Sequence, residues 1–281
     1  MGRSKALFLA TLVAVGASSA AFGADLLPPP PPLEPMPAPV DFGGGWYLRG
    51  DVGVGALQMT EWRSTLQPVD ETGQSLATSG NVFAPAFSSI GDQTFAGVGF
   101  GYQFNHWFRA DITGEYRTEA AYRAGIAGAN AYSGWTGFDS YNAGLSTALF
   151  MANGYVDLGT WRGITPFVGG GVGIASHKFA GLTDSGGGVA TDATQANFAW
   201  ALMGGLALNV TPNLKIELGY RYVDMGNINS NPIQCLNPQG CWQEAHSFHI
   251  ASQDVRLGLR YALGGAPSYM APPPGPLISK Y

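Results

Sequence analysis

The chain has 281 residues, of which 12% are charged, about half the share of an average soluble domain. Its net charge of −5 is dispersed, which leaves no footprint for nucleic acid, and its glycines lack the three-residue period of collagen. Beyond the amino terminus no run approaches the ~18 apolar residues of a spanning helix, so a closed β-barrel is the remaining way to satisfy the backbone in lipid.

Residues 1–23 are predicted to form a signal peptide. Arg3 and Lys5 supply a basic n-region, Ala6 to Ala17 a short apolar h-region, and small residues then lead to Ala21-Phe22-Gly23, with cleavage before Ala24. The mature chain therefore enters an oxidising periplasm and belongs in the bacterial outer membrane. Residues 24–45 form a Pro-rich arm around Pro28 to Pro32, expected as an extended polyproline spacer. Residues 264–281, with Pro272, Pro273 and Pro274, form a second Pro-rich tail.

Between them, residues 46–263 read as eight strands with period-2 alternation, near 46–57, 94–104, 107–117, 147–158, 164–176, 197–209, 214–224 and 252–263. In the seventh, Leu214, Ile216, Leu218, Tyr220 and Tyr222 share one face against Lys215, Glu217, Gly219 and Arg221. The fifth is ambiguous, because Phe167 and Val168 are adjacent and both large. The connections alternate. Short ones lie at Asn105-His106, Thr160-Trp161-Arg162 and Thr211-Pro212-Asn213; the four long ones are about 58–93, 118–146, 177–196 and 225–251. Outer-membrane barrels pair short periplasmic turns with long external loops. The fold expected is thus all-β: an eight-stranded antiparallel transmembrane barrel of up-and-down, OmpA-like topology. Both Pro-rich arms would face the periplasm, within reach of peptidoglycan.

Glycine placement gives the direction of the faces. Gly53 and Gly55 share a face with Arg49 and Asp51, and Gly258 with Arg256 and Arg260. A solvent face has no need of small residues, whereas the interior of an eight-strand barrel is only just wide enough to fill with side chains. The charged, glycine-bearing face is therefore expected inside and the large apolar face in lipid. Trp46, Phe104, Trp107, Phe108, Trp161 and Tyr261 map to the periplasmic rim as an interfacial girdle. The first strands then turn Arg49, Asp51, Arg109, Asp111, Glu115 and Arg117 inward, and the later ones Asp157, Lys215, Glu217, Arg221, Arg256 and Arg260. Paired charges in so narrow a lumen read as a structural plug; the other reading is a charged eyelet conducting small ions.

The opening DLLPPPPP, the strand GGWYLRGDVGVG, the run TPFVGGGVGIA, the segment LKIELGYRYVDMG and the closing QDVRLGLRYAL together resemble the RopB-like small outer-membrane proteins of alphaproteobacteria. The resemblance implies an abundant eight-stranded barrel, often a surface antigen, with a structural envelope role and no catalysis. Some members are linked to haemin binding or porin activity. It also implies insertion by the barrel-assembly machinery into outer-membrane lipid and lipopolysaccharide. Such barrels usually finish at an aromatic residue; here the last strand ends at Ala262-Leu263, leaving Tyr261 or Tyr281 for that role.

Cys235 and Cys241 bracket LNPQG in the last long loop, which reads as a disulfide staple. Finger-like metal spacing is lacking, so neither a metal nor a cofactor is expected. His177, His246 and His249 are assigned to external loops and are the candidate haemin ligands. Glu244, His246 and Ser247 supply the residue types of an outer-rim lipid hydrolase, without a nucleophile elbow. GVGFGYQF and FVGGGVGIA sit inside strands, where a phosphate loop cannot form.

Overall fold

The computed structural model describes residues 44–65, 81–130, 132–134, 136–234 and 244–263. The expected signal peptide, the proline-rich segments and both cysteines lie outside these residues. The described chain forms nine strands: β1 (Gly45–Ser64), β2 (Asn81–Ile90), β3 (Gln93–Gln103), β4 (Phe108–Asn130), β5 (Thr136–Asp157), β6 (Ile164–Asp184), β7 (Ala193–Asn209), β8 (Leu214–Asn229) and β9 (His246–Ala262). Every pairing is antiparallel, and the sheet closes because β1 pairs with β9 on one side and β3 on the other, while β4 pairs with both β3 and β5.

The expected second strand is here two elements, separated only by Gly91-Asp92. β3 pairs with Arg109–Arg117 of β4, and β2 with Tyr122–Asn130 higher on the same strand. Together they make one stave, so the barrel has eight staves in up-and-down order. Above Gly55 the ladder between β1 and this stave stops, since β2 pairs with β4 alone.

At the short-turn end the strand limits fall within a residue or two of expectation. At the other end they run far beyond it. β4 has 23 residues and β5 has 22, against the ~9–11 residues a tilted strand needs to cross a bilayer. At a tilt of ~40° β4 spans roughly 55 Å, about twice the hydrocarbon band. Most of what reads as long loop in the sequence is therefore barrel wall.

The wall has two zones. In the lower zone the outward positions are large and apolar: Val98 is 71% exposed, Ile112 64% and Phe198 67%, a band of chains that only lipid can cover. Its lower edge carries the aromatic girdle, where Trp46 stacks on Phe100 at 4.7 Å and Phe104 on Phe108 at 5.3 Å. The expected phase ambiguity resolves with Phe167 inward and Val168 outward. In the upper zone the outward residues turn mostly small or polar, Val82, Phe87 and Phe138 apart, and the inward ones apolar: Tyr122, Leu145, Phe179, Met225, Phe248 and Ile250 are fully or almost fully buried. Tyr122 stacks on Phe248 at 5.2 Å and meets Phe179 edge-on at 5.1 Å. Each such side chain contributes about 1.5–3 kcal/mol from water-excluding burial alone, so this zone holds its shape without lipid.

Glycines occupy the lower lumen for room, though Gly50, Gly114 and Gly170 lie outward and escape the expected rule. At Gly101 a Cβ atom would stand 2.4 Å from the Tyr47 ring and 2.6 Å from the Ala110 carbonyl oxygen. Only a bare backbone lets that ring lie flat against β3.

Candidate functional site

The lumen is the candidate site, and the strand registers order its charges into rungs. Arg49, Arg260 and Lys215 are cross-strand partners on β1, β9 and β8; Asp51, Gly258 and Glu217 form the next rung, Gly53, Arg256 and Gly219 the third, and Gly55, Asp254 and Arg221 the fourth. The glycines of β1 leave the space into which the neighbouring arginines and carboxylates fold.

Arg49 is the hub of the lower network. It donates to Asp51 through Nε and Nη2, both at 2.8 Å, and through Nη1 to Asp111 and the Tyr155 hydroxyl, both at 2.9 Å. Tyr47 and Asn153 complete Asp111 at 3.0 and 2.9 Å. Arg109 lies over the Tyr155 ring at 3.9 Å and meets Asp157 at 3.3 Å. Arg260 meets Glu217 at 2.9 Å and donates to Gln103 at 3.1 Å. In the fourth rung Arg117 and Arg221 converge on Asp254 at 2.5 and 2.7 Å, and both also reach Glu115 at 2.8 Å. The structure brings all twelve expected lumen charges together inside the wall. Asp254 belongs with them and was missing from the expected set, although its alternation with Arg256 places it on the same face.

The histidines are placed differently from expectation. His177 and His246 are 1% exposed and lie on strands facing the lumen, not in surface loops. In the sequence these positions read as loop because the apolar-out alternation fades above the lipid zone. His177 lies above that zone, with polar Ser176 and Lys178 outward on either side. Its Nε2 donates to the Met225 carbonyl at 3.0 Å and its Nδ1 accepts from Thr147 at 2.9 Å. Burial, with a smaller push from Arg117, lowers its pKa below the ordinary histidine range. His249 faces outward, bonded to Asp224 and Asn227, each at 2.9 Å. In each of these three candidate rings both nitrogens are engaged in hydrogen bonds.

His246 centres a polar knot that sequence reasoning missed. Trp62 Nε1 donates to the Tyr122 hydroxyl at 2.6 Å, Tyr122 donates to His246 Nδ1 at 3.0 Å, and His246 Nε2 donates to Glu244 at 2.9 Å. Glu244 also accepts from Tyr141 at 2.6 Å and from Ser64. Burial raises both tyrosine hydroxyls well above the usual phenol range, so they serve as donors. The knot joins β1, β4, β5 and β9 above the point where the backbone ladder between β1 and β3 stops. Its residues are far apart in sequence, and only the registers bring them together.

The hydrolase arrangement is not formed. Ser247 and His246 are adjacent on β9 and point to opposite faces, and Ser64 bonds the carboxylate rather than the imidazole. Among the described residues no group of three His, Cys, Asp or Glu could hold a metal ion.

No protein-family model matches the chain. It is 32% identical over 280 residues to the uncharacterized protein BAB2_0314 of Brucella abortus, covering 86% of this chain and 93% of that one. It is 26% identical over 220 residues to the putative adhesin RT0816 of Rickettsia typhi, covering 78% and 88%. Among solved structures, the outer membrane protein OprG of Pseudomonas aeruginosa superposes with a TM-score of 0.45 at 14% identity, over 79% of this chain and 97% of that one.

Proposed function

The chain belongs to the family of the uncharacterized Brucella abortus protein BAB2_0314 and is itself an outer-membrane β-barrel, and from that premise we propose that it is a sealed structural and surface-display barrel of the RopB-like kind. The single observation that carries this reading is the filling of the lumen along its whole height. Arginine–carboxylate rungs occupy the lower zone and aromatic packing the upper, with Arg109, Arg117 and Tyr122 all fully buried. Opening a path would strip paired charges of their partners, each costing about 3–5 kcal/mol. The protein then acts through its wall and its exposed rim, contributing to envelope integrity and presenting an extracellular surface. An adhesive use of that surface fits the resemblance to RT0816.

The same reading makes the short-turn end periplasmic. The signal peptide would be cleaved before Ala24, both Pro-rich arms would lie near peptidoglycan, Cys235 and Cys241 would staple the last loop, and the assembly machinery would insert the barrel among lipopolysaccharide. Planar-bilayer recording on the refolded protein tests the proposal. A sealed barrel gives a silent bilayer; steady unitary openings of the wild type would establish the porin-like alternative. Haemin binding is tested by mixing: an unshifted Soret band is expected.

A further inference from the structure

We infer that the lower lumen contains a binding site for a small inorganic anion, bounded by Arg109, Arg260 and Lys215. All three stand at the short-turn ends of their strands. Arg109 and Lys215 are the second residues of β4 and β8, and Arg260 lies two residues before the end of β9. Arg260 and Lys215 are direct partners on one rung. Arg109 pairs with Gln103, which itself accepts from Arg260 Nη1 at 3.1 Å. The three cations therefore surround one short stretch of lumen.

The charges of that stretch do not balance. Asp51 and Asp111 are both committed to Arg49. Across the stretch five cations, Arg49, Arg109, Arg256, Arg260 and Lys215, face four carboxylates, Asp51, Asp111, Asp157 and Glu217, and Arg49 also meets Glu217 at 3.4 Å. Arg109 Nη2 and Arg260 Nε share the same oxygen, Glu217 Oε1, at 3.4 and 2.9 Å, and neither is aligned as a hydrogen bond. Arg109 Nη1 and Arg260 Nη2 are buried with no hydrogen-bond partner. The Arg256 Nη2 hydrogen bond is to the Met203 sulfur, at 3.5 Å. In the fourth rung, by contrast, two arginines meet two carboxylates.

A buried guanidinium that keeps unfilled N–H groups forfeits strong charge-assisted bonds. Its cost falls if an anion accepts from those groups and cancels the excess charge. The Tyr155 and Phe167 rings, 3.9 and 5.0 Å from the Arg109 guanidinium, hold its plane so that its free edge is presented ready-made. The donors on offer suit a chloride or a phosphate oxygen.

The test uses the full-length protein refolded in detergent with gluconate as the only anion. Chloride, and separately inorganic phosphate, replaces gluconate at constant ionic strength while the unfolding temperature is followed. A saturable rise is expected with at least one of the two, and which one identifies the ligand. Arg109→Gln should weaken the apparent affinity at least tenfold. Because that variant could fail to refold, wild-type crystals grown in bromide provide an independent readout. An anomalous peak within about 4 Å of Arg109 Nη1 and Arg260 Nη2 supports the site. Stability that tracks ionic strength alone overturns it, as does bromide found only elsewhere when phosphate gives no saturable rise.

Discussion

Arg117 on β4 crosses the lumen to Asp254 on β9, donating from its two terminal nitrogens at 3.0 and 2.5 Å to the two carboxylate oxygens. β4 and β9 are not neighbours in the sheet; β3 and β1 stand between them. The pair is therefore a strut across the barrel rather than a contact along the wall. Asp254 also accepts from Arg221 at 2.9 Å and from Ser252 at 2.5 Å. Asp254→Ala should cost about 3–5 kcal/mol, because it leaves two buried arginines with Glu115 as the carboxylate they share. Urea unfolding in lipid vesicles, followed by tryptophan fluorescence, measures this; a loss under about 1 kcal/mol would mean that the strut carries little.

The Tyr47–Gly101 contact yields a second prediction. Gly101→Ala adds a methyl group where the ring and the Ala110 carbonyl already meet, and the Tyr47 hydroxyl must keep its bond to Asp111. Overpacking of this kind costs about 1–3 kcal/mol. Ala110→Gly cannot relieve it, since the obstacle is backbone oxygen, whereas Tyr47→Leu in the same chain should restore part of the loss. Heat-modifiable mobility on gels, which separates folded from unfolded barrels, reports both effects.

The lower half of the barrel was legible in the sequence and the upper half was not, for a reason visible in four strands. The alternation that marks 46–57, 107–117, 164–176 and 214–224 is followed in each case by a bulge. Register shifts fall between Thr60 and Arg63 on β1, Arg117 and Ala120 on β4, and Asp224 and Gly226 on β8; β6 shifts near Gly181, whose φ is +67°. A bulge adds one residue and so reverses which parity faces inward. On β4 the inward residues change from odd positions such as Asp111 and Arg117 to even ones, Tyr122, Ala124 and Ile126. On β5 and β9 parity persists, but polarity inverts: Asp254 and Arg256 face the lumen below, Phe248 and Ile250 above. A search for apolar-out alternation stops at both kinds of change. The lumen charges lie below them and were readable; His246 and the Glu244 knot lie above, while His177 lies before the β6 shift, where its outward neighbours Ser176 and Lys178 are already polar.

Lipid contact can be read as a dependence on height. Ile112 is 64% exposed at the middle of the apolar band, and Thr118 is exposed on the same strand just above it. Ile112→Arg should destabilise the barrel in vesicles by about 2–4 kcal/mol, and Thr118→Arg by no more than about 1. Equal costs at the two positions, measured by urea titration in the same lipid, would contradict the placement of the band.

Stability should also fall on mild acidification, through His177. Its folded pKa lies below the unfolded value of about 6.5, so the unfolded chain takes up a proton at a pH where the folded chain does not. The stabilisation from keeping the ring neutral is thus complete above about pH 6.5. It declines as pH drops below that value, by at most about 1.4 kcal/mol per pH unit, and levels off once the folded histidine itself protonates. His177→Gln retains a donor for the Met225 carbonyl and an acceptor for Thr147, but cannot titrate. The variant should therefore be less stable than wild type at pH 7.5 or equal to it, and the gap should move in its favour by pH 5.5. Unfolding free energies of both proteins at the two pH values decide the matter, and a gap that stays constant would remove His177 as the source.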